Sequence, residues 1–167
     1  MKIFIFAALC FVFFSCETDR KDYTEKFEKL AGLVNNYPDS ALSLLYLIDP
    51  ETLDESQHAE YVLIEIQAKH KNGLDISGET TIFDAVSYFL GKKDVEKAAQ
   101  AYYYSGRVYN ERGDNERAMK NYLKAKGLSK NIKNNQLKGA IIFGIGYLHY
   151  FELNYDLAIS SGSPISF

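Results

Sequence analysis

The 167-residue sequence is 47% hydrophobic and 14% aromatic, and its formal net charge is −3. This length is sufficient for one hydrophobic core, and the hydrophobic content with the low net charge excludes an intrinsically disordered chain. Long segments repeat their apolar residues with the period of an α-helix, and no alternating runs joined by hairpin turns occur. The sequence therefore predicts an all-α protein.

Residues 1–15 have the pattern of a signal peptide. Lys2 supplies a positive charge, and an apolar run over 3–14 follows it. A membrane-spanning helix needs about 20 residues, so this run is too short to be one. Ser15 then precedes Cys16, which is similar to the lipobox of bacterial lipoproteins. The resemblance implies that Cys16 becomes the acylated first residue of the exported protein; the alternative is an ordinary signal peptide cut nearby.

A polar tether is expected over 16–21, and a helical domain over 22–167. Apolar residues at helical spacing predict four helices in the first part of this domain, over 23–34, 41–48, 58–71 and 82–89. Asp39 and Ser40 are expected to cap the second of them. Pro50 interrupts the pattern between the second and the third, because proline removes a helical hydrogen-bond donor.

Residues 99–132 have the pattern of two antiparallel helices that pack on one another. Each helix carries a stripe of apolar or small residues, formed by Tyr102, Ser105, Gly106 and Tyr109 and by Ala118, Tyr122 and Ala125. Gly113 permits a tight reversal between them, and Asp114 is a favourable N-cap. Because helices approach closely only at small residues, we expect Gly106 and Ala118 to form the crossing point, with tyrosine rings beside it.

The same pattern recurs forty residues later. Four positions match in register: Gly106 with Gly146, Tyr109 with His149, Asp114 with Asn154, and Ala118 with Ala158. This match predicts a second helix pair that turns near Asn154 and packs through Gly146 and Ala158. Gly162 and Pro164 then interrupt the pattern, so the last repeat is expected to be incomplete.

The incomplete repeat leaves an apolar helix, over 140–151, without its expected cover. Exposed apolar patches larger than a few hundred Å² usually mark interfaces. We therefore expect the chain to self-associate, or to need a partner, through Phe143, Tyr147 and Phe151.

The pattern of 99–132 resembles a tetratricopeptide repeat, a helix-turn-helix unit of about 34 residues. The shared positions are an aromatic residue, Gly and Tyr on the first helix and Ala, an aromatic residue and Ala on the second. Lys130 stands where that unit usually has its closing proline. The resemblance implies antiparallel helix pairs stacked as a solenoid, with a role in binding a protein or peptide.

The N-terminal segment followed by divergent repeats, including DSALSLL at 39–45, AYYYSGRVYNERGD at 101–114 and ERAMKNYLKAK at 116–126, is similar to the tetratricopeptide-repeat regulators of Bacteroidetes. Such regulators commonly carry a membrane span and a cytoplasmic helix-turn-helix domain after their repeats. The resemblance implies that this chain is the periplasmic sensor part of a truncated regulator, with protein binding but no DNA binding. The alternative is a substrate-binding lipoprotein of the glycan-uptake type, whose helical scaffold contains similar repeats.

In a stacked solenoid, the first helices of the pairs line one concave surface. Candidate partner-binding residues there are Gln100, Tyr103, Arg107 and Asn110 and, forty residues later, Phe143, Tyr147 and Tyr150. Tyr and Arg often carry binding energy in pockets. The alternative is that Phe143 and Tyr147 are simply covered by neighbouring helices.

Charge is distributed unevenly: acidic residues dominate 17–65, whereas 117–151 contains basic residues and no acidic one. One interpretation is that these charges lie on solvated helix faces. The alternative is that the basic segment binds an acidic surface, either of a partner or of the acidic end of a second copy. No nucleic-acid-binding motif accompanies the basic run, so no nucleic-acid partner is expected.

No catalytic, metal-binding or cofactor-binding pattern is recognisable. His58, His70 and His149 lack a second ligand at metal spacing. We expect a non-enzymatic protein without a cofactor, held by its lipid anchor on a bacterial membrane and facing the periplasm or the cell surface.

Overall fold

The computed structural model describes the backbone of residues 22–161 and the side chains of residues 22–152. The predicted signal peptide and Cys16 lie outside the described residues, and so does the break predicted over 162–164. The side chain of Ala158 lies outside them too. None of the helices in the described part is long and apolar enough to cross a membrane.

Helices form the regular structure of the described chain. The seven α-helices are α1 (Thr24–Leu33), α2 (Pro38–Leu45), α3 (Glu55–Lys71), α4 (Ile82–Gly91), α5 (Val95–Glu111), α6 (Asn115–Leu128) and α7 (Asn135–Ser161). Short 3₁₀ turns lie over Pro50–Thr52 and Ser129–Asn131. No strand occurs between residues 22 and 161, and the all-α prediction is confirmed.

Neighbouring helices pack as antiparallel pairs that stack into a tetratricopeptide-like solenoid. α5 packs along α6, and α7 packs against both of them. The first helices of successive pairs, α3, α5 and α7, begin forty residues apart, at Glu55, Val95 and Asn135. The offset read from the sequence is therefore confirmed between α5 and α7, and it extends back to α3.

These three helices begin with the same type of cap. The side chains of Asp54, Asp94 and Asn134 each accept a hydrogen bond from the backbone N–H three residues later, at 2.9, 3.1 and 2.9 Å. Such a bond satisfies an N–H that has no partner within the helix. Asp114 caps α6 in the same way at 3.0 Å, as predicted, directly after Gly113 with φ +76°.

The cap predicted at Asp39 and Ser40 is wrong, because α2 already begins at Pro38 and has no side-chain cap. Proline suits the first position of a helix, since its fixed φ is helical and its missing N–H would be unpaired there. Asp39 instead lies in the first turn, where its negative charge is favourable at the positive end of the helix dipole.

The turn predicted near Asn154 is also wrong, because α7 continues unbroken to Ser161. The corresponding turn between α5 and α6 depends on Gly113, whose φ of +76° is left-handed. Forty residues later the sequence has Leu153, and a leucine in that conformation is strained. α7 is consequently one long helix rather than a helix pair.

The ring of Tyr122 on α6 lies between glycines of two neighbouring helices. A Cβ atom at Gly106 of α5 would lie 2.4 Å from Cε1 of this ring, and one at Gly144 of α7 would lie 3.0 Å from its Cζ. Gly106 is thus a point of close contact, but the nearest atoms belong to the ring of Tyr122. The predicted crossing of Gly106 with Ala118, with the rings beside it, stays a prediction. The packing predicted for Gly146 is wrong, because no atom lies within 4 Å of a Cβ built there.

The other residues predicted to pack in this pair lie where their stripe requires. Ala118 and Ala125 are fully buried on α6. Tyr102 and Tyr109 of α5 are partly buried against the same core. The rings of Tyr109 and Phe83 are stacked with centroids 5.0 Å apart, which joins α5 to α4.

Candidate functional site

A groove of about 330 Å³ lies along the first helices of the pairs. Its walls come from Asn35, two residues after α1, and from α3, α5, α7 and the turn before α7. The lining residues are Asn35, Gln67, His70, Lys71, Gln100, Tyr103, Tyr104, Asn134, Gln136, Leu137 and Ala140. Amide groups and aromatic rings predominate among them, and Lys71 is the only member with a fixed full charge.

A row of three amide side chains crosses the groove. Nε2 of Gln100 donates to Oε1 of Gln67 at 2.7 Å, and Nε2 of Gln67 donates to Oδ1 of Asn35 at 3.4 Å. Gln67 is only 8% exposed, so these bonds fix its orientation. The carbonyl oxygen of Gln100 and the amide nitrogen of Asn35 have no partner among the described residues, so each is free to bond to a ligand.

The imidazole of His70 lies at the wall of the groove. Burial lowers the pKa of its imidazole to about 4, and the positive charges of Arg107 and Lys71 act in the same direction. The imidazole is therefore neutral at pH 7, with one nitrogen that donates a hydrogen bond and one that accepts. Its ring meets the Tyr104 ring edge-on, with centroids 5.8 Å apart.

Two tyrosines of α5 form the base of the groove. The rings of Tyr103 and Tyr104 meet edge-on with centroids 4.9 Å apart, and the two residues are 8% and 5% exposed. Burial raises the pKa of both phenols, so they stay protonated at neutral pH. The base of the groove is thus uncharged and aromatic.

The four α5 residues predicted to bind a partner separate into two groups. Gln100 and Tyr103 line the groove, and Ala140 of α7 lies beside them. Arg107 and Asn110 do not line it. Arg107 pairs with Glu111 at 3.6 Å, and Asn110 donates to Asn115 at 3.2 Å, so both lie in contacts within the α5–α6 pair.

The three α7 residues predicted to bind a partner lie away from the groove. Phe143, Tyr147 and Tyr150 are 68%, 39% and 63% exposed. The rings of Phe143 and Tyr147 lie 6.3 Å apart, and those of Tyr147 and Phe151 lie 4.6 Å apart. In the described part of the chain no neighbouring helix covers Phe143 or Tyr147.

Sequence reasoning did not identify the α3 side of the groove. Gln67 and His70 were missed because α3 is an apolar helix over most of its circumference, and His70 was considered only as a metal ligand. One signal was present: Gln67 is a polar residue directly between Ile66 and Ala68 in a helix that is apolar on most sides. A buried amide in such a setting needs a hydrogen-bonding partner on a neighbouring helix.

The fold defines a helical repeat protein with a groove along its first helices. Residues 100–126, within α5 and α6, match a family model described as a tetratricopeptide repeat. No curated protein and no solved structure matches the chain. The family match supports the class of repeat read from the sequence at the helix pair where the pattern is most regular.

Proposed function

We propose that this protein is a non-enzymatic binding module whose groove holds an extended peptide segment of a protein partner. Tetratricopeptide repeats generally mediate protein–protein interaction, which supports a protein as the partner class. The observation that carries the proposal is the amide row from Asn35 through Gln67 to Gln100.

The chemistry of the groove suits a peptide main chain. Each peptide unit presents one donor and one acceptor, and an amide side chain offers both kinds of group. The free carbonyl oxygen of Gln100 accepts from a peptide N–H, and the free amide nitrogen of Asn35 donates to a peptide carbonyl. Tyr103 and Leu137 supply apolar contacts for a side chain, and Lys71 favours an acidic residue in the bound segment.

A peptide selection tests this proposal. The chain from residue 16 onward, carrying Cys16→Ala, is panned against random linear peptides displayed on phage, and the selected peptides are measured by calorimetry. Gln100→Leu should raise Kd at least tenfold, about 1.4 kcal/mol, because it removes the free carbonyl oxygen. The matched control is Asn121→Leu on α6, whose amide bonds only to the Arg117 carbonyl. Failure to select any peptide, or equal Kd values for both variants, would contradict the proposal.

The proposal includes anchoring of the module on a bacterial membrane through an acylated Cys16, facing the periplasm or the cell surface. The support is the apolar run ending at Ser15 and Cys16. In this setting the module acts as the sensor part of a regulator. Intact mass of the membrane-extracted protein should give an acylated Cys16 as the first residue, and Cys16→Ala should leave the membrane fraction. An unmodified soluble product would contradict anchoring without affecting the groove.

The alternative is a substrate-binding lipoprotein associated with glycan or nutrient uptake. What favours it is the combination of amide and aromatic side chains in the groove, since a sugar also needs donors, acceptors and a flat apolar surface. An oligosaccharide array distinguishes the two. Binding to a glycan that Gln100→Leu abolishes, with no peptide selected, would replace the peptide ligand by a sugar.

Self-association through the exposed aromatic face of α7 completes the proposal. Its support is the exposure of Phe143, Tyr147 and Phe151 together on one helix.

A further inference from the structure

α7 has two opposite faces that are both apolar. Its buried face is the stripe of Leu137, Ile141, Gly144 and Leu148. Its exposed face, here called the outer stripe, consists of Gly139, Phe143, Gly146 and Tyr150. The outer stripe repeats at i, i+4, i+7 and i+11, so the four residues lie in line on the side of the helix opposite the core.

Small and aromatic residues alternate along the outer stripe. A Cβ built at Gly139 or at Gly146 has no atom within 4 Å, so the space above both glycines is open. Phe143 and Tyr150 stand between and beyond them, 68% and 63% exposed. The outer stripe therefore presents two projecting rings, and it has open space above two glycines in which such rings could pack.

The α5–α6 pair shows how two stripes of this kind pack. α5 carries Ala99, Tyr103 and Gly106 forty residues before the outer stripe of α7, and α6 carries Ala118, Tyr122 and Ala125. These helices run antiparallel, the Tyr122 ring covers Gly106, and the Tyr103 and Tyr122 rings lie 5.8 Å apart. A small–aromatic–small stripe is thus covered by a second stripe with the same alternation.

We propose that the outer stripe of α7 binds the outer stripe of a second copy, antiparallel about a twofold axis between residues 144 and 145. In this register Phe143 covers the partner's Gly146 and Tyr150 covers the partner's Gly139, and the twofold axis repeats both contacts. This geometry rests on the proposed self-association and specifies it.

The area of the face is sufficient for such a contact. Ile142, Phe143, Tyr147 and Tyr150, which form or flank the outer stripe, are between 39% and 68% exposed. With the usual buried areas of large side chains, they present on the order of 450 Å² per copy. Two copies then bury at most about 900 Å², which is the size of a weak, reversible contact.

A glycine substitution tests the contact. Gly146→Leu fills the site that Phe143 of the second copy would occupy, and its Cβ would have no atom of a neighbouring helix within 4 Å. The control is Gly127→Leu on α6, because Gly127 is also exposed, helical and without a neighbour within 4 Å of an added Cβ. Sedimentation of the chain from residue 16 onward, with Cys16→Ala, should give a Kd for dimerisation raised at least tenfold by Gly146→Leu and unchanged by Gly127→Leu. Equal thermal midpoints would show that both variants fold.

A distance measurement tests the orientation. After Cys16→Ala the chain from residue 16 contains no cysteine, so Glu152→Cys provides one site for a spin label. With a rise of 1.5 Å per residue, antiparallel pairing places the two labels about 22 Å apart along the helix axis. Parallel pairing in register leaves no separation along the axis and therefore gives a shorter distance.

The possible outcomes distinguish self-association in general from the antiparallel contact of the outer stripes. A monomer at every concentration would overturn both self-association and the geometry. A dimer that survives Gly146→Leu, or that gives the short distance, would overturn the antiparallel contact while self-association stands. Gly146→Leu dissociation together with the long distance supports the proposed contact.

Discussion

Tyr122 joins three helices because it has a glycine on each side of its ring. A Cβ at Gly106 of α5 would overlap this ring, one at Gly144 of α7 would lie tightly against it, and Tyr122 itself is 1% exposed. The alternation of small and aromatic residues along 99–132 predicted a close contact at Gly106, but with Ala118 as its partner rather than the ring of Tyr122. The contact on α7 was predicted at Gly146, which is the position forty residues after Gly106. The glycine that faces α6 is instead Gly144.

Gly106→Ala should destabilise the protein although alanine is the better helix former. The added methyl group meets the Tyr122 ring at 2.4 Å, and overpacking of this kind costs about 1 to 3 kcal/mol. Gly127→Ala meets nothing and should instead stabilise by up to about 1 kcal/mol. Urea unfolding measures both, and a stabilising Gly106→Ala would show that the ring does not occupy this position.

The pKa of His70, lowered to about 4 by burial, predicts a pH-dependent stability. The unfolded chain protonates this imidazole near pH 6.5, whereas the folded chain resists protonation until about pH 4. The unfolded state therefore binds more protons in this window, and the free energy of unfolding should fall as the pH is lowered from 6.5 towards 4.

The matched variants are His70→Gln and His58→Gln, since His58 is exposed. The quantity to compare is the fall in the free energy of unfolding between pH 7 and pH 5.5, measured by urea unfolding. This fall should be smaller for His70→Gln than for the unmodified protein. For His58→Gln it should equal that of the unmodified protein. An NMR titration that places the His70 pKa near 6.5 would contradict the buried position of the imidazole.

The contacts between α5 and α3 in the groove do not follow the repeat offset. The offset of forty residues pairs Gln100 with Glu60, yet the hydrogen bond of Gln100 is to Gln67, two turns further along α3. The contacts of α5 with α3 join residues 33 to 37 positions apart, as in Gln100–Gln67, Tyr104–His70 and Lys97–Glu60, so α5 is shifted along α3 relative to the repeat offset. Gln100 and Tyr103 were found from their own helix, but their partners depended on this shift.

At the scale of the elements, polar caps determine where helices begin. Asp94→Ala removes the bond to the backbone N–H of Lys97 and should cost about 1 kcal/mol, as should Asp54→Ala at the start of α3. Asp39→Ala should cost less, because Asp39 lies within the first turn of α2 and accepts no capping bond. Thermal unfolding measures the loss of stability in the three variants. A loss for Asp39→Ala as large as for the other two would indicate that Asp39 does cap α2.

The length of α7 shows which local signal decided between a helix and a helix pair. The apolar helix predicted over 140–151 lies within α7, whereas the match of Asn154 to Asp114 suggested a turn that does not occur. A cap residue alone is insufficient, because the reversal before α6 also needs the left-handed Gly113. Leu153 at the corresponding position favours continuation of the helix.

At the scale of the whole molecule, the solenoid separates two surfaces. The groove along the first helices is polar and aromatic, with neutral His70 and buried Tyr103. The outer stripe of α7 is apolar and exposed, on the helix face opposite the core. Part of the basic run is used within the α5–α6 pair, since Lys120 pairs with Glu116 and Lys124 lies over the Tyr102 ring.

The central claim is that the groove, and not the outer stripe, holds the peptide. An NMR titration with a selected peptide tests it most directly, because the side-chain amide signals of Gln67 and Gln100 report on the groove while backbone signals of Phe143 and Tyr150 report on the outer stripe. We expect the largest shifts at Gln67, Gln100 and His70, with the outer stripe unchanged. Shifts confined to Phe143 and Tyr150 would contradict the account.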